Sequence, residues 1–263
     1  MMDFDFSGVA ILLVVAGFLA GLLNAVAGGG SFLTLPALMS VGVPPVAANA
    51  TGTAALLPGY LASVLADGRR LRGAWQELGP RLAWGLLLAG VLGGAVGAVA
   101  LLLTGDAAFR VLIPWLLLVA TVLFALGPWL QRQAARPHPG PLRALGAGLG
   151  CAYGGYFNGG VGILLMAILR GQGVTDLPRA NALKNLLSSV LTLMAVVVYI
   201  AGGQVVATGL LAVGAGAILG ARVGMAIVRR LPEAGYRHVV TGIGAAITVL
   251  FFLDPAWLAS PTS

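Results

Sequence analysis

The chain alternates long apolar runs with short polar clusters. No charged residue occurs between Asp5 and Asp67, and further charge-free runs lie between Arg81 and Asp106, Arg110 and Arg132, Arg143 and Arg170, Lys184 and Arg222, and Arg237 and Asp254. A helix needs about 20 apolar residues to cross a bilayer, so the first run alone holds room for about three crossings. Short polar loops are expected between the runs. Two glycine-dense places fall inside apolar runs, Gly28-Gly29-Gly30 and Gly159-Gly160-Val161-Gly162. Glycine costs about 1 kcal/mol relative to alanine in a helix interior, and non-helical backbone at membrane depth survives only where protein or water satisfies it. Both places predict helix breaks within the membrane.

The passages around the breaks repeat each other. Asn24-Ala-Val-Ala-Gly-Gly-Gly-Ser31 runs on through Gly42-Val-Pro-Pro45 to Ala48-Asn49-Ala50, and Gly160-Val-Gly162 runs on through Gly173-Val-Thr175 to Ala180-Asn181-Ala182; Gly30 to Gly162 and Asn49 to Asn181 are both offsets of 132. An offset of half the chain implies a duplicated fold. If each interrupted segment is a single crossing, arginines divide almost evenly between the two sides, against the positive-inside tendency. If each is a hairpin that returns to the side it entered, Arg69, Arg70, Arg72, Arg81, Arg132, Arg136, Arg143, Arg170, Arg179, Arg229, Arg230 and Arg237 share one side and only Arg110 lies on the other. The expected fold is therefore an all-α integral membrane protein of two inverted repeats, about five helical segments each, with glycine-broken hairpins at 8–41 and 144–170. The first repeat is 1–130, a basic cytoplasmic linker 131–143, and the second repeat 144–263. The N-terminus is expected outside a plasma or inner membrane. Met1 to Phe6 lack the positive region of a cleaved signal, so the first apolar stretch is expected to stay.

Composition narrows the function classes. Hydrophobic residues make up 59% and charged residues 9%, against about 25% charged in soluble domains, which excludes a water-soluble fold and leaves little for an extramembrane domain. The net charge of +7 comes from loop arginines and reads as topology rather than nucleic-acid binding. Cys151 is the one cysteine, a small packing residue with no companions for a metal. The carboxylates and both histidines fall in loops or at helix ends, and there is no Gly-x4-Gly-Lys-Ser/Thr loop, so an intramembrane protease, a carboxylate-based proton pump and ATP hydrolysis all lack their chemistry. The chain is expected not to be an enzyme and to need no cofactor or metal.

Gly17-x3-Gly21-x2-Asn24-x3-Gly28-Gly29-Gly30-Ser31-x4-Pro36-x-Leu38, followed by Gly42-x-Pro44-Pro45-x2-Ala48-x2-Thr51, resembles the N-terminal signature of the TauE/SafE-type sulfite exporter family. Gly150-x3-Gly154-Gly155-Tyr156-Phe157-x-Gly159-Gly160-Val161-Gly162 resembles its repeat. The resemblance covers nearly the whole chain. It implies a permease for sulfite, sulfoacetate or other sulfonates. Asn158 and Val161 depart from the glycine pattern, which predicts a distinct geometry at the second break.

Independently of that resemblance, a helix break leaves unpaired amides that an anion would satisfy, with half-helices starting near Ser31 and Ile163 aiming their positive ends at it. Donors from Gly28, Gly29, Gly30, Ser31, Gly160 and Gly162 are expected there, with Asn24, Asn49 and Asn158 nearby. Asn181, Lys184, Asn185 and Ser188 form one polar helix face, and Asn49 with Thr53 a shorter one. Tyr153 or Tyr156 would shape the apolar remainder. Lys184 and Arg222 are the cations inside apolar runs, where ionisable residues mark function or snorkel to the interface. Gly90-x2-Gly93-Gly94-x2-Gly97 and Gly216-x3-Gly220-x3-Gly224 are expected only to pack helices. The leading expectation is a secondary carrier for a small anion, with H⁺ or Na⁺ as coupling ion. An anion channel and a non-transporting scaffold are the alternatives.

Overall fold

The computed structural model describes residues 6–134, 140–228 and 233–253, and all regular structure in them is helical. In chain order the helices are α1 (Phe6–Ala27), α2 (Ser31–Ser40), α3 (Pro45–Ala66), α4 (Gly68–Leu78), α5 (Pro80–Ala134), α6 (Gly140–Tyr156), α7 (Val161–Gly171), α8 (Leu177–Ala201), α9 (Ala207–Val228) and α10 (Glu233–Leu253). Gly105, at φ 69° and ψ 166°, divides α5 into legs 80–104 and 106–134. Arg136 and His138 of the expected linker, and Arg229 and Arg230, lie outside the described residues.

Four of these helices are long and apolar enough to cross a membrane, Ser7–Ala25, Pro80–Ala134, Leu177–Ala201 and Ala207–Gly224, by length and composition. Their outward surface is apolar too. Ile11, Trp84, Leu92, Leu103, Trp115, Ile200 and Leu211 are all exposed, whereas Asn24, Asn49, Thr53, Asn158, Asn185 and Ser188 are buried. That is the reverse of a soluble fold and suits hydrocarbon outside. The chain is an all-α membrane protein.

Polar contacts show how the helices run. The Gln172 amide donates to the Arg143 carbonyl at 3.4 Å, so α6 and α7 form a hairpin whose two ends lie together. At the same end of the molecule, Glu77 accepts from the Thr175 amide at 3.2 Å and pairs with Arg179 at 3.3 Å. This places the C-terminal end of α3, through α4, beside the N-terminal end of α8. At the other end, Thr51 of α3 accepts from the Val206 amide at 3.0 Å, just beyond α8. The two helices are therefore antiparallel. Asp106 accepts from the Val46 amide at 2.8 Å, capping α3 from the α5 bend and placing that bend at the second end. Arg69, Arg70, Arg72, Arg143 and Arg179 thus gather at one end.

Glycines let the helices touch along their backbones. A methyl group at Gly17 or Gly21 would strike the backbone of Val213 or Ala217, and one at Gly216, Gly220 or Gly224 that of Val14, Phe18 or Leu22. The contacts rise together in both sequences, so α1 and α9 are parallel. The first leg of α5 meets α6 in the same way, through Gly93 and Gly97 against Ala152. The packing role expected of both glycine series is what they perform.

One polar loop is not a loop. Residues 68–78 form α4, because Leu71, Ala74 and Leu78 recur at helical spacing and pack into the apolar cluster with Leu183 and Leu187 of α8. Arg69, Arg70 and Arg72 stay exposed on its other side.

Candidate functional site

The two breaks meet. Gly28, at φ 78°, ends α1, and Gly160, at φ 74°, precedes α7; a side chain at either would be strained by about 1–2 kcal/mol in this left-handed region. The two positions are 132 residues apart. A methyl group at Gly28 would lie 3.1 Å from the Gly162 Cα and 3.3 Å from its nitrogen, so a side chain at the crossing would have to push the second break aside by a few tenths of an ångström. The second break carries an additional left-handed residue, Asn158 at φ 63°, and the distinct geometry expected from its departures is present. Asparagine tolerates this conformation better than other non-glycine residues.

Half-helices begin immediately beyond each break. In α2 the Phe32 amide donates to the Gly29 carbonyl at 3.2 Å, and in α7 the Ile163 amide donates to Gly160 at 3.1 Å. Neither α2, with Gly30 at its cap, nor α7, with Gly160, has a side-chain cap. The Val161 amide donates to the Asn158 carbonyl at 3.3 Å, and the residues around both half-helix starts, Gly29, Gly30, Ser31, Val161 and Gly162, are buried.

A network of side chains ties the breaks together. The Tyr60 hydroxyl of α3 donates to Asn24 Oδ1 of α1 at 3.0 Å and lies 3.4 Å from Asn158 Oδ1 of the second break. Asn158 donates its amide to Thr192 Oγ1 of α8 at 3.4 Å. Asn49 donates to the Tyr156 carbonyl at 3.0 Å. Tyr153 holds the Gly159 carbonyl at 2.6 Å, and the Tyr199 hydroxyl holds that of Gly155. The Tyr156 hydroxyl is engaged with Thr104 at 3.1 Å, so both tyrosines expected to shape the apolar remainder have hydroxyls that brace the second hairpin.

Three buried oxygens have no partner, Asn49 Oδ1 and Thr53 Oγ1 on α3 and Ser188 Oγ on α8. These three are the side-chain oxygens without a partner among the described residues, and an unsatisfied buried polar group costs about 1–3 kcal/mol. Toward the arginine-rich end of α3, a cavity of about 10 Å³ is lined by Asn24, Tyr60, Ser63 and Asn185, room for about one water.

The candidate residues separate into two groups. Asn24, Gly28, Gly29, Gly30, Ser31, Asn49, Thr53, Asn158, Gly160, Gly162 and Asn185 are buried, and the breaks, α3 and α8 carry them together. Lys184 is buried beside Asn185 on α8. Asn181 and Arg222 are exposed, on α8 and α9, and the structure does not gather them with the others. Tyr60 and Thr192 escaped the sequence reading. Thr192 lies one turn beyond Ser188 on the α8 face and Tyr60 two turns beyond Thr53 on the α3 face, and they lie 132 residues apart; following each stripe further along its helix finds both.

Comparison with known proteins agrees in extent with this architecture. A Haemophilus influenzae protein described as a probable membrane transporter protein is 29% identical over 262 residues, covering 97% of this chain and 99% of its own length. A Sinorhizobium protein, probable membrane transporter protein ORF9, is 28% identical, covering 97% and 96%. The Escherichia coli K12 protein YfcA, also described as a probable membrane transporter, is 26% identical, covering 92% and 89%. The family profile described as sulfite exporter TauE/SafE matches residues 13–251, spanning both glycine breaks, α3 and α8, and the chain belongs to the TauE/SafE family of membrane transporters.

Proposed function

We propose that this chain is a secondary transporter for a small sulfur-containing or organic anion, such as sulfite or a sulfonate, moved by alternating access around the crossing of the two breaks. One observation carries the reading: two half-helix N-termini without side-chain caps lie in the same core as three buried oxygens without partners. Amides at helix N-termini donate to anions and carry partial positive charge, and the hydroxyls of Thr53 and Ser188 donate as well. The carboxylates of Asp67, Glu77, Asp106 and Asp176 are engaged at the two ends of the molecule, away from the breaks. Lys184 supplies positive charge on the approach from the arginine-rich end.

Discontinuous helices meeting near the midplane are how many carriers build such sites. The antiparallel course of α3 and α8 supports two inverted repeats, and the gathered arginines support a cytoplasmic placement of that end in a plasma or inner membrane, with the N-terminus outside. Labelling a cysteine at position 137 with an impermeant reagent from outside would overturn this orientation.

Purified protein in liposomes tests the function. Saturable flux of labelled sulfite or a sulfonate is expected, with an imposed H⁺ or Na⁺ gradient identifying the coupling ion. Flux that never saturates would identify a channel, and no flux of any tested anion a scaffold.

A further inference from the structure

A second concave site lies away from the breaks, at the arginine-rich end of the molecule. It is a groove of about 320 Å³ between the end of α5, the start of α6 and the outer side of α7. Its walls are almost wholly apolar, with Leu130 from α5, Leu142 from α6, and Leu164 and Ile168 from α7; Arg143 and Gln172 supply its polar edge. The neighbouring surface of α6 exposes Leu142, Leu145 and Leu149, so the groove opens onto the apolar belt that faces lipid. Arg132 and Arg170 flank it in sequence, and none of its lining residues is acidic. Hydrocarbon walls that end at an arginine, at the depth where apolar surface gives way to charge, complement a molecule with an acyl chain and an anionic head. Basic pockets between membrane helices recognise anionic lipid head groups on this principle.

We propose that this groove is a binding site for one anionic phospholipid, an acyl chain lying along Leu142, Leu164 and Ile168 and the phosphate at Arg143. The occupant would press on α7, the half-helix whose N-terminus forms the second break, and would stabilise the hairpin that α6 and α7 make. The site requires no transport activity and stands apart from the anion reading.

Native mass spectrometry of the full chain, extracted from bilayers of equimolar phosphatidylglycerol and phosphatidylcholine with identical acyl chains, tests it. The parent is expected to retain one phosphatidylglycerol in preference to phosphatidylcholine. Arg143→Gln is expected to lower that preference about fivefold, the weight of one basic residue beside an anionic surface. A Cβ added at Gly146, which lines the groove, meets nothing within 4 Å, so Gly146→Leu is expected to narrow the groove and lose the bound lipid while the thermal midpoint of unfolding stays within a few degrees of the parent. Equal retention of the two lipids by the parent, unchanged preference in Arg143→Gln, or full retention in Gly146→Leu would each overturn the proposal. A parent without bound lipid would overturn it too.

Discussion

Tyr60→Phe isolates the contact that joins the two breaks. The substitution keeps the ring, which is 4% exposed, and removes one hydroxyl that donates to Asn24 Oδ1 at 3.0 Å and lies 3.4 Å from Asn158 Oδ1. Only the shorter bond has good geometry, and Asn158 keeps its own donation to Thr192, so the loss falls chiefly on Asn24. Leaving a buried acceptor without a donor costs about 1–3 kcal/mol. Interhelical hydrogen bonds in membranes average about 0.6 kcal/mol by double-mutant cycles, because the unfolded state in lipid also finds partners. The expected destabilisation is therefore about 1 kcal/mol, read as a lower thermal midpoint in detergent or nanodiscs. Anion flux in liposomes is expected to fall further than stability alone requires, since the bond ties α1 to α3 where Asn158 of the second break approaches both. The decisive measurement is a double-mutant cycle with Asn24→Ala. A coupling of about 0.5 kcal/mol or more is expected for a direct partner. Additive effects, or flux and midpoint both equal to the parent, would refute the bridge.

Other substitutions probe the remaining parts of the site. Gly28→Ala is expected to destabilise by more than Gly42→Ala, because both positions have positive φ (78° and 87°) but only Gly28 is crowded, by Gly162; equal unfolding midpoints would remove the crossing of the breaks from the argument. Thr53→Val and Ser188→Ala delete buried oxygens that lack partners, so the fold is expected to be unchanged or stabilised by up to about 1–3 kcal/mol while sulfite flux falls several-fold; unchanged flux would detach these hydroxyls from the substrate. Lys184→Ala is expected to weaken anion binding by about 1.5–3 kcal/mol, the scale of a hydrogen bond to a charged group, whereas exposed Asn181→Ala is expected to change it by less than about 0.5 kcal/mol; calorimetry with sulfite separates the two. Asp106→Ala removes the cap on the Val46 amide and is expected to lower stability by about 1 kcal/mol, read by thermal unfolding.

The amino-acid sequence by itself determined what depends on local chemistry. Charge-free runs set the membrane class, because hydrocarbon rejects charge wherever the chain folds. Gly28 and Gly160 marked the breaks because a left-handed turn at membrane depth asks for glycine, and the ordered glycine motifs identified the family. The polar stripes on α3 and α8 were legible as helical spacing, and their members Asn49, Thr53, Asn185 and Ser188 are buried. What spacing could not supply was the direction in which each face turns. Asn49 and Asn181 hold matching places in the repeat, yet Asn49 is buried and Asn181 exposed, because they lie at opposite ends of antiparallel helices with different neighbours. Arg222 was read as an intramembrane cation from its depth in an apolar run, and only the packing of α9 on α1 decided that it faces outward. The charges of residues 67–81 masked the apolar spacing of α4, whose order comes from Leu71, Ala74 and Leu78 meeting α8. Tyr60 became a bridge only when folding brought Asn24 and Asn158, 134 residues apart in the chain, within reach of one hydroxyl, a contact made by long-range packing that no local pattern encodes.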